Sequence, residues 1–238
     1  MNFRKRIFKM LDRLFENYDC IIAIDTETTG IEPKKEKIIE LSAVRIVKSN
    51  GEIVVTDELD ELILLSDGRK IPEVVEKLTG ITNEKLQAEG IESSVACEKF
   101  VRLFNDDKIL LVAYNAQFDM NFLYYFLAEH NSTDILKKIK MLDAYTVYRD
   151  RREYPHKLEN AIEAYNLGDK VVNSHRAIDD TLALVEVLKA MEEERSDLHL
   201  YINLFGYNPK YGVSGSKISS VRYVPQPYNS PRKLYEEL

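Results

Sequence analysis

The run Ile21-Ile22-Ala23-Ile24-Asp25-Thr26-Glu27-Thr28-Thr29-Gly30 constrains this chain more than any other segment, because an apolar stretch ends in two carboxylates one residue apart. Side chains at i and i+2 of a strand project to the same face, so Asp25 and Glu27 stand side by side where a buried strand ends. Two anions there repel each other, and a buried carboxylate pair is costly unless a cation or a shared proton compensates it. Oxygen donors suit a hard metal ion, which makes the segment a candidate metal site. A solvated strand end bearing two acids is the alternative, and this segment alone does not decide between them.

The 238 residues fit one medium domain with an appendage better than two full domains. With 45% apolar and 31% charged residues the chain can bury a real core, and no apolar run approaches a membrane span. Residues 1–19 space Phe3, Ile7, Phe8, Leu11, Leu14 and Phe15 as one face of an amphipathic helix, with basic residues between them. The segment lacks the unbroken apolar run of a signal peptide. It is expected to pack on the domain, the other fate open to such a helix being a membrane surface. Cys20 and Cys97 have no ligand-like spacing, which argues against a disulfide framework and a zinc site and for a reducing, cytoplasmic setting.

The net charge of −7 is not that of a nonspecific nucleic-acid binder. It is unevenly spread: from His199 onward five Lys/Arg face two acids, a net +3 that leaves −10 for the remainder. A carboxylate-rich site would contribute to that −10, and bound divalent cations would offset it locally.

After the opening strand, residues 37–47 and 51–65 read as two more strands hinged at Ser49-Asn50-Gly51, an antiparallel meander. Short helices are expected over 72–78 and 83–89, separated by Thr79-Gly80-Ile81-Thr82, and a longer one over 94–104. Residues 108–114 read as a buried strand, followed by helices near 117–130, 144–148, 158–165 and 177–194. Strands first and mixed elements after them imply an α/β layer fold, a sheet covered by helices. The chain divides into an N-terminal helix (1–19), a main domain (20–195) and a C-terminal extension (196–238) rich in Tyr, Pro and Gly, where no periodicity survives. Its segment 212–217 lacks the spacing of a phosphate-binding P-loop.

A third acid, Asp119, follows the expected strand at 108–114 and opens a helix, where the helix dipole alone would also favour it. A fourth comes from Asn173-Ser174-His175-Arg176-Ala177-Ile178-Asp179-Asp180, and helical periodicity chooses between the two aspartates. Asp180 shares its face with Ala177, Ala183, Leu184, Val187 and Met191, which must point inward; Asp179 shares a mixed face with Arg176, Glu186 and Ala190. An inward-facing aspartate needs a partner, and a metal is one. His175 stands about 140° from Asp180 on a continuous helix, so it is expected in the leading loop or at the N-cap, leaning over the same site. His130, His156 and His199 read as surface or satisfied core residues, and Asp143 as the cap of the next helix.

Taken together, Asp25, Glu27, Asp119, Asp180 and His175 resemble the signature of the DEDDh family of 3′→5′ exonucleases, which includes the epsilon-type proofreading subunit of bacterial DNA polymerase III. The matching motifs are Asp25-Thr26-Glu27-Thr28-Thr29-Gly30, Asn115-Ala116-Gln117-Phe118-Asp119, and His175-Arg176-Ala177-Ile178-Asp179-Asp180 with the family's H-x(4)-D spacing. Ile38-Ile39-Glu40-Leu41, Lys77-Leu78-Thr79-Gly80-Ile81-Thr82 and His156-Lys157-Leu158 are similar to supporting family segments, so the resemblance covers residues 20–191. One position departs: Tyr114 stands where many members have His.

The resemblance implies a ribonuclease H-like fold, a mixed five-stranded sheet flanked by helices, and two divalent ions, Mg²⁺ or Mn²⁺, held by Asp25, Glu27, Asp119 and Asp180. It implies His175 as the base that takes a proton from the attacking water, and a 5′-mononucleotide as product. It also implies that Thr28 and Thr29, the segment Leu78, Thr79, Gly80 and Ile81, and the residues Asn115 and Phe118 contact the terminal nucleotide, Phe118 near its sugar or base. Leu78, Ile81 and Phe118 could equally be core residues.

The expected activity is metal-dependent 3′→5′ hydrolysis of single-stranded or frayed DNA, with a DNA polymerase as a candidate partner and no membrane. An RNA-trimming exoribonuclease is the alternative among enzymes, because these motifs do not report the sugar. A noncatalytic nucleic-acid or polymerase-binding module is the alternative from another class. In the extension, Tyr207, Tyr211, Tyr223 and Tyr228 interleaved with Lys210, Lys217 and Arg222 could stack on bases and hold phosphates; wrapping the domain or docking a partner is the preferred reading.

Overall fold

The computed structural model describes residues 11–171, 176–206, 221–226 and 232–237. Strands β1 (Cys20–Thr28), β2 (Ile38–Ser49) and β3 (Glu52–Leu62) form the expected antiparallel meander. Asn50 and Gly51 turn the chain between β2 and β3 with φ of 51° and 81°, the doubly positive geometry of a tight hairpin. Helices α2 (Glu73–Thr79), α3 (Asn83–Glu89) and α4 (Ser93–Val101) follow. The chain then enters β4 (Ile109–Ala113), α5 (Ala116–Glu129), α6 (Ile135–Lys138) and β5 (Lys140–Asp143). It continues through α7 (Ala144–Arg151), α8 (Leu158–Ala164) and α9 (Ala177–Glu194).

The five strands lie in the order β3-β2-β1-β4-β5, with β4 parallel to both β1 and β5. This is the mixed five-stranded sheet flanked by helices that the family resemblance implies. Strand β5 was not anticipated, since four residues carry no periodicity to read.

Both faces of β1 are covered along Cys20–Ile24, which is why that stretch is apolar without a break. Ile22 and Ile24 pack in one core with Met120, Phe122 and Leu123 of α5. Ile21 and Ala23 pack in the other with Leu184, Val187 and Leu188 of α9. Strand alternation therefore carries Asp25 and Glu27 onto the α9 side and Thr26 onto the α5 side. A smaller core of Ile39, Leu62, Ile71, Ile81 and Leu86 underlies α2 and α3.

At the N-terminus, Leu11 and Leu14 are fully buried around the short helix α1 (Asp12–Phe15), and Lys48 Nζ reaches Asp12 Oδ1 at 2.7 Å. This part of the expected amphipathic helix packs on the domain; Phe3, Ile7 and Phe8 lie outside the described residues.

The described parts of the C-terminal extension also pack on the domain. Leu198, Tyr201, Leu204, Phe205 and Leu234 are buried. Asn203 exchanges hydrogen bonds with Met141 of β5, at 2.7 and 3.0 Å. Gln226 Nε2 donates to the Thr146 carbonyl at 2.9 Å, and Leu234 N donates to Asp150 Oδ2 at 3.0 Å. Tyr223 packs edge-on against Phe205. Tyr207, Lys210, Tyr211, Lys217 and Tyr228 lie outside the described residues, as does the segment 212–217. Among the described residues no helix is long and apolar enough to cross a membrane. Cys20 and Cys97 are buried free thiols.

Candidate active site

The C-terminal end of β1 and the first turn of α9 meet on one side of the sheet. One carboxylate oxygen each from Asp25, Glu27 and Asp180 lies within 4.8 Å of the others. The apolar face of α9 explains the choice between the adjacent aspartates: Ala177, Ala183, Leu184, Val187 and Met191 are all buried, and they carry Asp180 toward β1. Asp179 is not one of the three.

Asp119 approaches β1 from the other helix layer. It is buried in the first turn of α5, and its Oδ1 accepts a hydrogen bond from Thr26 Oγ1 at 2.7 Å. Thr26 lies between Asp25 and Glu27 and faces the opposite way, so a single strand end gathers acids from both sides.

The electrostatics of this group follow from burial and like charge. Withdrawal from water pushes the Asp25 carboxyl well above the usual range, and the nearby Asp119, Glu27, Asp180 and Glu40 push it further. Glu27 is raised to about 8, by burial first and then by Glu40, Asp180 and Asp119, with Arg176 opposing. Asp119 is raised to about 7 by burial, against the lowering effect of the Thr26 hydrogen bond. Oxygen-only donors that hold protons so tightly fit a hard divalent cation, which would replace those protons and cancel the repulsion. Asp25, Glu27 and Asp180 are thus a candidate metal site; Asp119 is not one of the three, though its charge acts on Asp25.

Buried acids hold the helices that carry this group. Asp143 Oδ1 accepts from Ala116 N at 3.0 Å, fixing the start of α5, while its Oδ2 accepts from Thr146 N at 3.0 Å, capping α7. The expected cap is therefore present, together with a second bond to the helix bearing Asp119. Glu40, fully buried on β2 and paired in register with Glu27, does the same for α9 by accepting from Ala177 N at 2.8 Å. Glu40 is a functional position that local periodicity does not single out; its one signal in the sequence is an acid inside the apolar run Ile38-Ile39-Glu40-Leu41.

The segments expected to flank a nucleotide fall in several environments. Thr28 Oγ1 donates to the Gly30 carbonyl at 2.6 Å, and Thr29 Oγ1 donates to Glu36 Oε2 at 2.5 Å, so both hydroxyls shape the loop after β1. Gly30 packs closely there, since a Cβ would stand 3.0 Å from Glu36 Cγ and that side chain would have to shift. Leu78 is 59% exposed at the end of α2, whereas Thr79 is buried and Ile81 lies wholly in the small core. Gly80 ends α2 with φ of 70°. Asn115 is exposed with φ of 67°, and Phe118 is half-buried against Phe122 with ring centroids 4.9 Å apart.

The Tyr114 hydroxyl donates to the His156 carbonyl at 2.7 Å and the Lys157 carbonyl at 3.1 Å, tying the end of β4 to the segment before α8. No described histidine joins the carboxylates. His175 lies outside the described residues. A cavity of about 90 Å³ opens between residues 33–38, the exit of β3 and the outer face of α5; none of the four acids lines it.

A family profile described as an exonuclease matches residues 22–188, most of the chain. The chain belongs to this exonuclease family. Its exonuclease domain is 34% identical over 188 residues to a PolC-type DNA polymerase III of Clostridium perfringens, covering 76% of this chain and 12% of that protein. It is also 34% identical over 186 residues to the 3′-5′ exonuclease DinG of Bacillus subtilis, covering 74% of this chain and 18% of that protein. The chain thus spans less than a fifth of the length of either relative. The DNA polymerase III subunit epsilon of Aquifex aeolicus is nearer in size, 28% identical over 188 residues, covering 78% of this chain and 86% of that one. In fold, the exonuclease domain is similar to Escherichia coli exonuclease I in complex with a dA16 oligonucleotide. The TM-score is 0.65 at 17% identity, over 77% of this chain and 43% of that one. Cell-death related nuclease 4 gives a TM-score of 0.63 at 16% identity, over 75% of this chain and 65% of that one.

Proposed function

We propose that this exonuclease acts in the 3′→5′ direction on single-stranded or frayed DNA, dependent on divalent cations and releasing 5′-mononucleotides. The observation that carries the proposal is the carboxylate group at the end of β1, with Asp25, Glu27 and Asp180 within 4.8 Å of one another and Asp119 tied to Thr26. Support for direction and substrate comes from the relative named as a 3′-5′ exonuclease and from the structural neighbour solved with a DNA oligonucleotide.

A phosphodiester is anionic and would be repelled by four acids unless positive charge came with it. Two bound cations, Mg²⁺ or Mn²⁺, would supply that charge and would favour an in-line displacement by stabilising the charge on its oxygens. Asp25, Glu27, Asp119 and Asp180 would hold them through their carboxylate oxygens. His175, five residues before Asp180, would take the proton of the attacking water, a task suited to an imidazole, whose free pKa is about 6.5. The exposed Leu78 and the half-buried Phe118 would offer apolar surface for the terminal base. The buried free thiols suit a reducing cytoplasmic setting, and a DNA polymerase is a partner that the polymerase III relatives support.

Incubating 5′-labelled DNA and RNA strands with Mg²⁺ tests this reading. DNA should shorten stepwise from its 3′ end, stop with chelator, and stay intact with Asp25→Ala or Asp180→Ala but not with Asp179→Ala. Degradation confined to RNA would make the enzyme an exoribonuclease. Intact strands of both kinds would make it a noncatalytic binding module.

A further inference from the structure

Glu40 sits in a position that costs stability. It is fully buried, directly across the strand pair from Glu27, and its charge is one of those that push Glu27 upward. A buried acid placed beside another acid is unfavourable unless it makes compensating bonds. Glu40 makes them to one place only among the hydrogen bonds described. Its Oε1 accepts from Arg176 Nε at 2.8 Å and from Arg176 Nη2, and its Oε2 accepts from Ala177 N at 2.8 Å.

Arg176 is the N-cap of α9 and Ala177 its first helical residue, so both oxygens grip the start of that helix from a strand 136 residues away in sequence. Arg176 supplies no side-chain cap of its own. A local Ser, Thr or Asp would satisfy the free amide without burying a charge, but it would leave the helix untied to the sheet. Asp180 follows one turn later, with its N donating to the Arg176 carbonyl at 3.1 Å. A closed path thus runs from Glu27 across the strands to Glu40, through Arg176 and Ala177, and up one turn to Asp180 beside Glu27 again.

We propose that Glu40 and Arg176 are positioning residues, a clamp that sets the first turn of α9 against the end of β1 so that Asp180 meets Asp25 and Glu27. This rests on the nuclease reading above. The clamp acts on the segment just after His175 as well, because Arg176 is its neighbour in the chain.

Glu40→Gln and Arg176→Lys test it, each keeping bulk while breaking the fork of charged bonds. Three quantities are read in the full chain: amide exchange over residues 177–181, Mn²⁺ affinity by calorimetry, and kcat with KM on a DNA strand. Both variants should exchange several-fold faster in that turn. Mn²⁺ affinity and kcat should each fall on the order of 10–100-fold, with KM nearly unchanged, and the double variant should be no worse than either single one. Lower Tm with wild-type Mn²⁺ affinity and kcat would reduce the pair to ordinary fold stabilisation and overturn the proposal. Unchanged exchange over 177–181 would overturn it too. If the wild-type protein neither bound Mn²⁺ nor cleaved DNA, the nuclease reading would fall by itself, and the exchange result would still decide whether Glu40 fixes the turn.

Discussion

Thr26 Oγ1 donates to Asp119 Oδ1 at 2.7 Å, across the strand that bears Asp25 and Glu27 on its other face. The bond opposes the effect of burial on Asp119, whose carboxyl is nevertheless raised to about 7. It is strongest when Asp119 is ionised, because a charged acceptor roughly doubles the strength of such a bond. Thr26→Val keeps the shape and removes the donor. We expect it to cost about 1.5–3 kcal/mol near pH 8 and distinctly less near pH 5, by thermal unfolding at both. Equal losses at the two pH values would mean that the hydroxyl only fills space.

Stability without metal should fall as pH rises. In the unfolded chain these carboxyls ionise at about 4, whereas in the fold Glu27 holds its proton to about 8 and Asp119 to about 7, and burial raises Asp25 well above its ordinary value as well. Between those limits the native state binds more protons than the unfolded state, so the free energy of unfolding decreases with rising pH. The penalty is absent below the unfolded values and complete only above the folded ones. In chelator, Tm should therefore drop from about pH 5 to about pH 8, and Mn²⁺ should restore more of it at the upper end, where ionised ligands are needed. Glu27→Gln should flatten both trends. Rescue by Mn²⁺ that was independent of pH, or undiminished in Asp25→Asn, would place the cation elsewhere.

The parts of this architecture that were legible in the sequence are those governed by local periodicity. Alternation along β1 put Asp25 and Glu27 on one face, Asn50-Gly51 marked the hairpin, and the apolar neighbours of Asp180 separated it from Asp179. The parts that were not legible depend on contacts distant in sequence. Glu40 finds its partners at residues 176 and 177, and Asp143 reaches back to Ala116 as well as forward to Thr146. Asp119 was placed with the other acids by motif order alone, and its bond to Thr26 could not be read from spacing. Ile81 shared a motif with Leu78, yet one residue is core and the other surface, because Gly80 ends α2 and turns the chain inward between them.

The described parts of the C-terminal extension are held by scattered buried side chains and individual hydrogen bonds rather than by one periodic apolar face, so they carry no periodic signal. Cutting after Arg195 would remove Leu198, Tyr201, Leu204 and Phe205 from the main cores, so it cannot separate binding from folding. Truncation after Gly206 is the better test. It removes Gln226 from Thr146, Lys233 and Leu234 from Asp150, and the buried Leu234 side chain. Losing a buried leucine and its anchors should cost at least ~2 kcal/mol, a fall of about 4–8 °C in Tm for a chain of this size. If the extension only braces α7, the affinity of the truncated chain for a single-stranded oligonucleotide should stay within about twofold of wild type at matched temperature and salt. A loss of affinity that grew as salt was lowered would instead assign the removed lysines and tyrosines to the strand, since phosphate contacts weaken with added salt and their absence shows most without it.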